Sequence, residues 1–370
     1  MKTAETRKSL RSTGILSLTA LALATLSYPR QGAAQTQHYT QTNLVSAKSG
    51  AAAVTDPNLV NPWGVSRASA GPWWVADEAT GLSTLYSGTG AIDSLVVTIP
   101  PAKSTTKTGS PTGTVYNGGT GFQLTTGKPA LFLFVTLDGT ISGWNSGTKA
   151  VIKVNEKGKS IYTGATIATN TVPDAGVESF LYVADVEQAK VQVFNSSFVS
   201  VTEPAGAFVD PDIPAGYTPF NVQNIGGNIF VAFAEQNSAK DFVNFGAGLG
   251  YVSIFTPGGT FLHRLKTGSY FNAPWGLALA SGDFGIYSHD ILVGQFGNGE
   301  IRAFDPDTFT EKGALLDSKG SAIAISGLWA LSFGNGNGAG SATALYFTAS
   351  DDEGLFGTIT PVENVQGNDQ

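Results

Sequence analysis

The sequence predicts an all-β protein: a six-bladed β-propeller whose last blade is closed by a strand from the N-terminal end. Three observations lead there. First, "WWVADEATGLSTLY" (Trp73 to Tyr86) and "LYVADVEQAKVQVF" (Leu181 to Phe194) share one layout: an apolar run, Val-Ala-Asp, a turn, then alternating apolar positions. Self-similarity of this kind marks repeat architectures. Second, charged residues are 13% of the chain, about half the usual ~25%. Gly, Ser, Thr and Asn fill the gap, which suits strands joined by many turns. Third, there is no cysteine, so neither disulfides nor Cys-ligated metals hold the fold together. A chain of 370 residues is long enough to bury a large core without them.

In chain order, residues 1–34 read as a signal peptide. Lys2, Arg7, Lys8 and Arg11 form a basic start, "GILSLTALALATLS" is a short apolar core, and "QGAAQ" offers small residues for cleavage after Ala34. The apolar run is shorter than the ~20 residues that a membrane helix needs. The expected mature protein is therefore exported, secreted or periplasmic, with no membrane segment after cleavage. Its charge follows by subtraction. The chain has 21 Lys and Arg against 28 Asp and Glu, and the leader holds five and one of these, leaving 16 against 27, or −11. Nucleic acid as a partner is excluded by that sign, because phosphate backbones need basic patches.

Residues 35–362 read as the propeller. "NPWGVSRASAGPWWVADEATGLSTLY" gives the first unit, and "PTGTVYNGG" with "ALFLFVTLDGTISGWN" the second. "GATIAT" with "FLYVADVEQAKVQVF" gives the third, and "PFNVQNIGGNIFVAFAE" with "GYVSIFTPGGTFLHRL" the fourth. "NAPWGLALASGDFGIYSHDILVGQFGNGEIRAF" is the fifth, and "GLWALSFG" with "ALYFTASDDEGLFGTITPV" the sixth. Each unit spans about 55 residues and predicts four short strands. The sixth stops after its third strand, so "YTQTNLVSA" (Tyr39 to Ala47) is expected to supply its outer strand and remove an exposed edge. Residues 363–370 are expected to be a disordered tail, and the protein a monomer.

Because strands alternate in direction, the Asn-Pro-Trp-Gly entries and the Val-Ala-Asp turns should share one face, around a mouth of the central channel. Two readings of Asp77 and Asp185 are open. Each can cap its own turn through backbone N–H groups, or, with Asp351, join a ring of carboxylates that holds calcium for a hydrolase or lyase. Trp63 and Trp275 can wedge between blades or offer a stacking platform. The inner strands "WGVS", "TGTVY", "GATIA", "FNVQN", "WGLALA" and "LWALSF" carry no Asp or Glu, which argues against hydrolysis. Asn61, Asn221 and Asn272 are expected near the mouth, and "EQNSAKDFVNFGAGLG" (Glu235 to Gly250) should overhang it with Phe242 and Phe245. Long loops in compact domains are commonly functional. Together these residues point to a small neutral ligand, glycan or peptide. Nucleophile elbows, phosphate cradles and calcium loops find no good match.

The Pro-Trp-Gly and Val-Ala-Asp phrases resemble the NHL-type repeat of six-bladed propellers. "NLVNPWGVS", "NAPWGLALA", "ILVGQFGNGEIRAFDP" and "LWALSFGNG" followed by "ALYFTASDDEGLFG" look like an uncharacterised family of bacterial secreted propellers. Copies in that family often read Asn-Phe-Gly-Asp-Gly at the fifth-blade turn, where this chain has Gln295 and Asn298. The resemblance implies the fold and export, and no activity.

Overall fold

The computed structural model describes residues 37–363, apart from 104–106, 126, 173–175 and 351–352. The leader and most of the C-terminal tail read from the sequence lie outside these residues, as does Asp351.

Six sheets follow one another along the chain, antiparallel except where Val54–Thr55 pairs parallel with Val45 and Ser46 at the edge of the sixth. Blade one comprises Pro62–Arg67, Trp73–Asp77, Leu82–Tyr86 and Val97–Thr98. Blade two comprises Pro111–Tyr116, Phe132–Thr136, Thr140–Trp144 and Val151–Asn155. Blade three has Tyr162–Val172, Gly176–Asp185 and Lys190–Asn195. Blade four has Tyr217–Ile225, Asn228–Gln236, Tyr251–Phe255 and Phe261–Arg264. Blade five has Pro274–Leu279, Ile291–Gln295, Ile301–Phe304 and Glu311–Ala314. Blade six is built from Leu328–Phe333, Leu345–Ala349 and Leu355–Pro361.

The ring closes as the repeat count requires. Tyr39–Ser46 pairs antiparallel with Leu355–Pro361, from Tyr39 opposite Pro361 to Ser46 opposite Leu355. Blade six would otherwise end in a row of unpaired backbone groups. One expectation fails. Blade three carries three strands instead of four, because the chain after Asn195 turns back at once. The N–H of Val201 bonds the carbonyl of Val193 at 2.8 Å, and the N–H of Asn195 bonds the carbonyl of Val199 at 2.9 Å. These two contacts cover the outer edge locally and replace a full strand.

Second strands are buried along their whole length in blades one, two, five and six. Both faces of each blade pack on a neighbour, so these strands read as unbroken apolar runs without alternation. Inner strands carry glycine where adjacent blades touch. A β-carbon on Gly64 would lie 2.6 Å from the Thr112 carbonyl oxygen, and one on Gly276 2.6 Å from that of Trp329. The glycine of each Trp-Gly pair thus lets neighbouring inner strands approach closely around the axis.

Candidate functional site

Strand register assembles one face. Pro62 pairs with Asp77, Tyr162 with Asp185 and Pro274 with Gln295. The starts of the inner strands and the ends of the second strands therefore meet around the same end of the axis.

An aromatic plug fills that end. Trp63 and Trp329 stack with centroids 3.6 Å apart and planes 17° off parallel. Trp275 stands edge-on to both, at 6.3 and 5.6 Å. Phe220 packs on Trp63 and Trp329, and Phe296 lies 4.3 Å from Trp329. The three tryptophans are 2%, 4% and 2% exposed for Trp63, Trp275 and Trp329 respectively. Two of their N–H groups are used: Trp275 donates to the Thr163 carbonyl at 3.0 Å and Trp329 to the Ser350 hydroxyl at 2.8 Å. That of Trp63 is buried without a partner. Tryptophan buries more area than any other side chain, so the cluster is a large apolar contribution to closing the ring.

The long fourth-blade loop covers this plug. Val243–Asn244 pairs back onto Glu235 and Gln236, and Asn237 accepts from the N–H groups of Asp241 and Phe242. These bonds aim Phe242 at Trp63, Phe220 and Phe296, with centroids 6.2, 5.6 and 5.8 Å away. Phe245 is 59% exposed and meets only the edge of Phe296 among the rings, at 6.0 Å. Leu137 and Ile161 join the same cluster while remaining partly exposed.

The three asparagines are engaged by the protein itself. Asn61 sits at φ 48°, accepts from the Ser350 hydroxyl and donates to Glu78 at 2.8 Å. Asn221 is buried and donates to the Trp275 carbonyl at 2.7 Å. Asn272 accepts the Gly246 N–H at 2.6 Å and so tethers the long loop. The structure brings Trp63, Trp275 and Phe242 into one cluster, with Phe245 at its rim. It sets Asn61, Asn221 and Asn272 around that cluster as braces.

Asp77 and Asp185 lie fully buried within their blades. Asp185 accepts from the N–H groups of Ile161 and Gln188, both at 3.2 Å, and from the Gln192 amide at 2.6 Å. Asp77 accepts the Thr84 N–H at 3.0 Å, and its other oxygen has no partner. Burial raises both carboxyls, Asp77 well above the usual carboxylate range. Among the described residues, no group of three or more His, Cys, Asp or Glu side chains is placed to hold a metal ion. Sequence reasoning missed Phe220, Phe296 and Trp329 as members of the cluster. Their signal is the aromatic residue at the head of "PFNVQN" and "LWALSF" and just after the fifth-blade second strand.

No family model matches the chain. Mimivirus proteins do, two of them over most of the chain. Uncharacterized protein R648 of Acanthamoeba polyphaga mimivirus is 31% identical over 329 residues, covering 85% of this chain and 78% of its own. Uncharacterized protein L690 of the same virus is 30% identical over 333 residues, covering 85% of this chain and 84% of its own. The chain belongs to their family. Both are viral, so the resemblance to bacterial secreted propellers and to NHL-type repeats rests on the quoted motifs alone. The PQQ-bound aldose sugar dehydrogenase of Streptomyces coelicolor shares the fold at a TM-score of 0.50 and 13% identity, covering 89% of this chain and all of its own. The fold is thus one that enzymes also use, and folds do not carry function by themselves.

Proposed function

We propose that the chain is an exported binding propeller, monomeric, that takes a small neutral ligand (a glycan or a peptide) on the loop-covered face. One observation carries this reading. Phe245, Phe242, Phe296, Leu137 and Ile161 leave a partly exposed apolar floor over the tryptophan plug. Exposed aromatic carbon ringed by polar groups marks interaction sites, and flat rings suit the apolar faces of sugars and peptide side chains. The chain's net negative charge disfavours anions as partners. The rival reading, a calcium-assisted hydrolase or lyase, gains less support, because Asp77 and Asp185 turn inward to their own blades. No helix among the described residues is long and apolar enough to cross a membrane.

A glycan array and a peptide library, each probed with wild type and Phe245→Ala, test the proposal. Phe245 is exposed, so the variant should melt with wild type while losing at least tenfold in affinity for whatever wild type captures. Equal capture by both proteins removes the mouth from consideration.

A further inference from the structure

The opposite end of the axis is built differently. There the inner strands of blades one, four, five and six open into a pocket of about 250 Å³. Its wall is mixed: Leu277, Leu279 and Leu331 supply apolar carbon, Gln223, Asn224 and Ser332 are polar, and among the described residues the one charged side chain lining it is Arg67. We propose that this pocket binds a small monocarboxylate with an apolar body, its carboxylate held by the Arg67 guanidinium.

Arg67 ends the inner strand of blade one and is half-buried. Its Nε donates to the Phe333 carbonyl at 2.6 Å, and its guanidinium lies 5.5 Å over the Trp73 ring. Those two contacts fix the plane of the fork and leave its terminal nitrogens for another group. Among the described residues, no Asp or Glu lines the pocket. Burial pulls the guanidinium below its ordinary pKa with no acid to offset it. An unpaired, partly desolvated cation in a chain of net charge −7 is costly unless an anion completes it.

The fork's geometry selects the anion. Guanidinium matches carboxylate through two parallel hydrogen bonds. A single positive charge neutralises a monoanion, whereas a phosphate dianion needs further cations that this pocket lacks. Polar assistance comes from Gln223, while the leucines accept the apolar body. Inward, Gln223, Leu277 and Leu331 also line an axial cavity of about 30 Å³, room for about one water. The Thr114 hydroxyl there is buried without a partner. Above it the tryptophan plug ends the channel, so the pocket is blind and entered from one side.

Calorimetric titration with sodium hexanoate tests the proposal, with hexylammonium chloride and inorganic phosphate as comparison probes. Saturable hexanoate binding is expected, with neither comparison probe competing. Arg67→Gln should weaken it at least tenfold, and Arg67→Lys should fall between, since lysine keeps the charge and loses the fork. Arg67 also ties blade one to blade six, so Leu279→Glu provides a second variant. Leu279 is 45% exposed, and a carboxylate there should leave the melting temperature unchanged and abolish hexanoate binding by repulsion. Phe245→Ala, on the other face, should leave hexanoate binding intact. Absence of binding at millimolar hexanoate, equal binding by Leu279→Glu, or tighter binding of phosphate each overturns the assignment.

Discussion

Asp77 and Asp185 close the same strand in sister blades, and the two carboxylates have different surroundings. In blade three the Gln192 amide bridges: it donates to Asp185 and accepts the Tyr162 hydroxyl at 3.1 Å. The N–H groups of Ile161 and Gln188 take the other oxygen, so both oxygens of Asp185 are engaged. Blade one has Pro62 where blade three has Tyr162, and its own Tyr86, from the third strand, donates to a second buried carboxylate, Asp56, at 2.9 Å. Asp77 is left with one donor on one oxygen. Burial raises it most, and the nearby Asp56 adds to the effect. The repeat therefore preserves a turn-capping aspartate while the network behind it is rebuilt in each blade. A capping role tolerates that, because a turn needs an acceptor and not a fixed ligand set.

Truncation should separate the two most clearly. Asp185→Ala strands three donors, two of them backbone N–H groups, and each buried unpaired group costs roughly 1–3 kcal/mol. A loss of about 3 kcal/mol in urea unfolding is expected. Asp77→Ala strands the Thr84 N–H alone and also removes an unfavourably buried acid, so about 1 kcal/mol is expected. Similar losses at both sites would mean that the hydrogen-bond count does not set their roles. Calcium sharpens the same contrast. If the added ion raises the melting temperature of wild type and of neither alanine variant, both aspartates are ligands and the capping account fails.

Much of this was legible in advance, for a physical reason. A blade buries both faces and needs a tight turn after its second strand, so the apolar run and the aspartate recur wherever a blade recurs. Closure by Tyr39–Ser46 followed from counting strands. The shortened third blade did not, because a return through two backbone hydrogen bonds leaves no apolar pattern behind it. The mouth was legible as a place and not as a surface. Trp63 and Trp329 touch only because the ring closes, and nothing local in either segment says that their rings will stack. The asparagines mislead for a related reason. An amide near an opening looks available until its partners, such as Gly246 for Asn272, arrive from distant loops.

The smallest effect is the most specific to the difference between the two blades. Asp77 has its folded pKa raised well above its ordinary 3.8 by burial, with Asp56 nearby. For an acid shifted upward, the folded state binds the proton more tightly than the unfolded chain does. Its contribution to stability is therefore fully present below the ordinary pKa and is lost as pH rises through the raised one. Asparagine copies the neutral acid in shape, keeps an acceptor for the Thr84 N–H, and cannot ionise. Asp77→Asn should consequently unfold with wild type near pH 4 and become the more stable protein as pH climbs toward 8. The margin should widen steadily over that range, because the unfolded carboxyl ionises freely while the folded one resists ionisation. Asp185→Asn should gain less over the same range, because both carboxylate oxygens accept from N–H donors and the amide's NH₂ would have to face one set of them. Urea midpoints of the three proteins at pH 4, 6 and 8 decide the matter. A pH-independent gap between wild type and Asp77→Asn would show that Asp77 is ionised in the folded blade, held by a cation or water that compensates its burial.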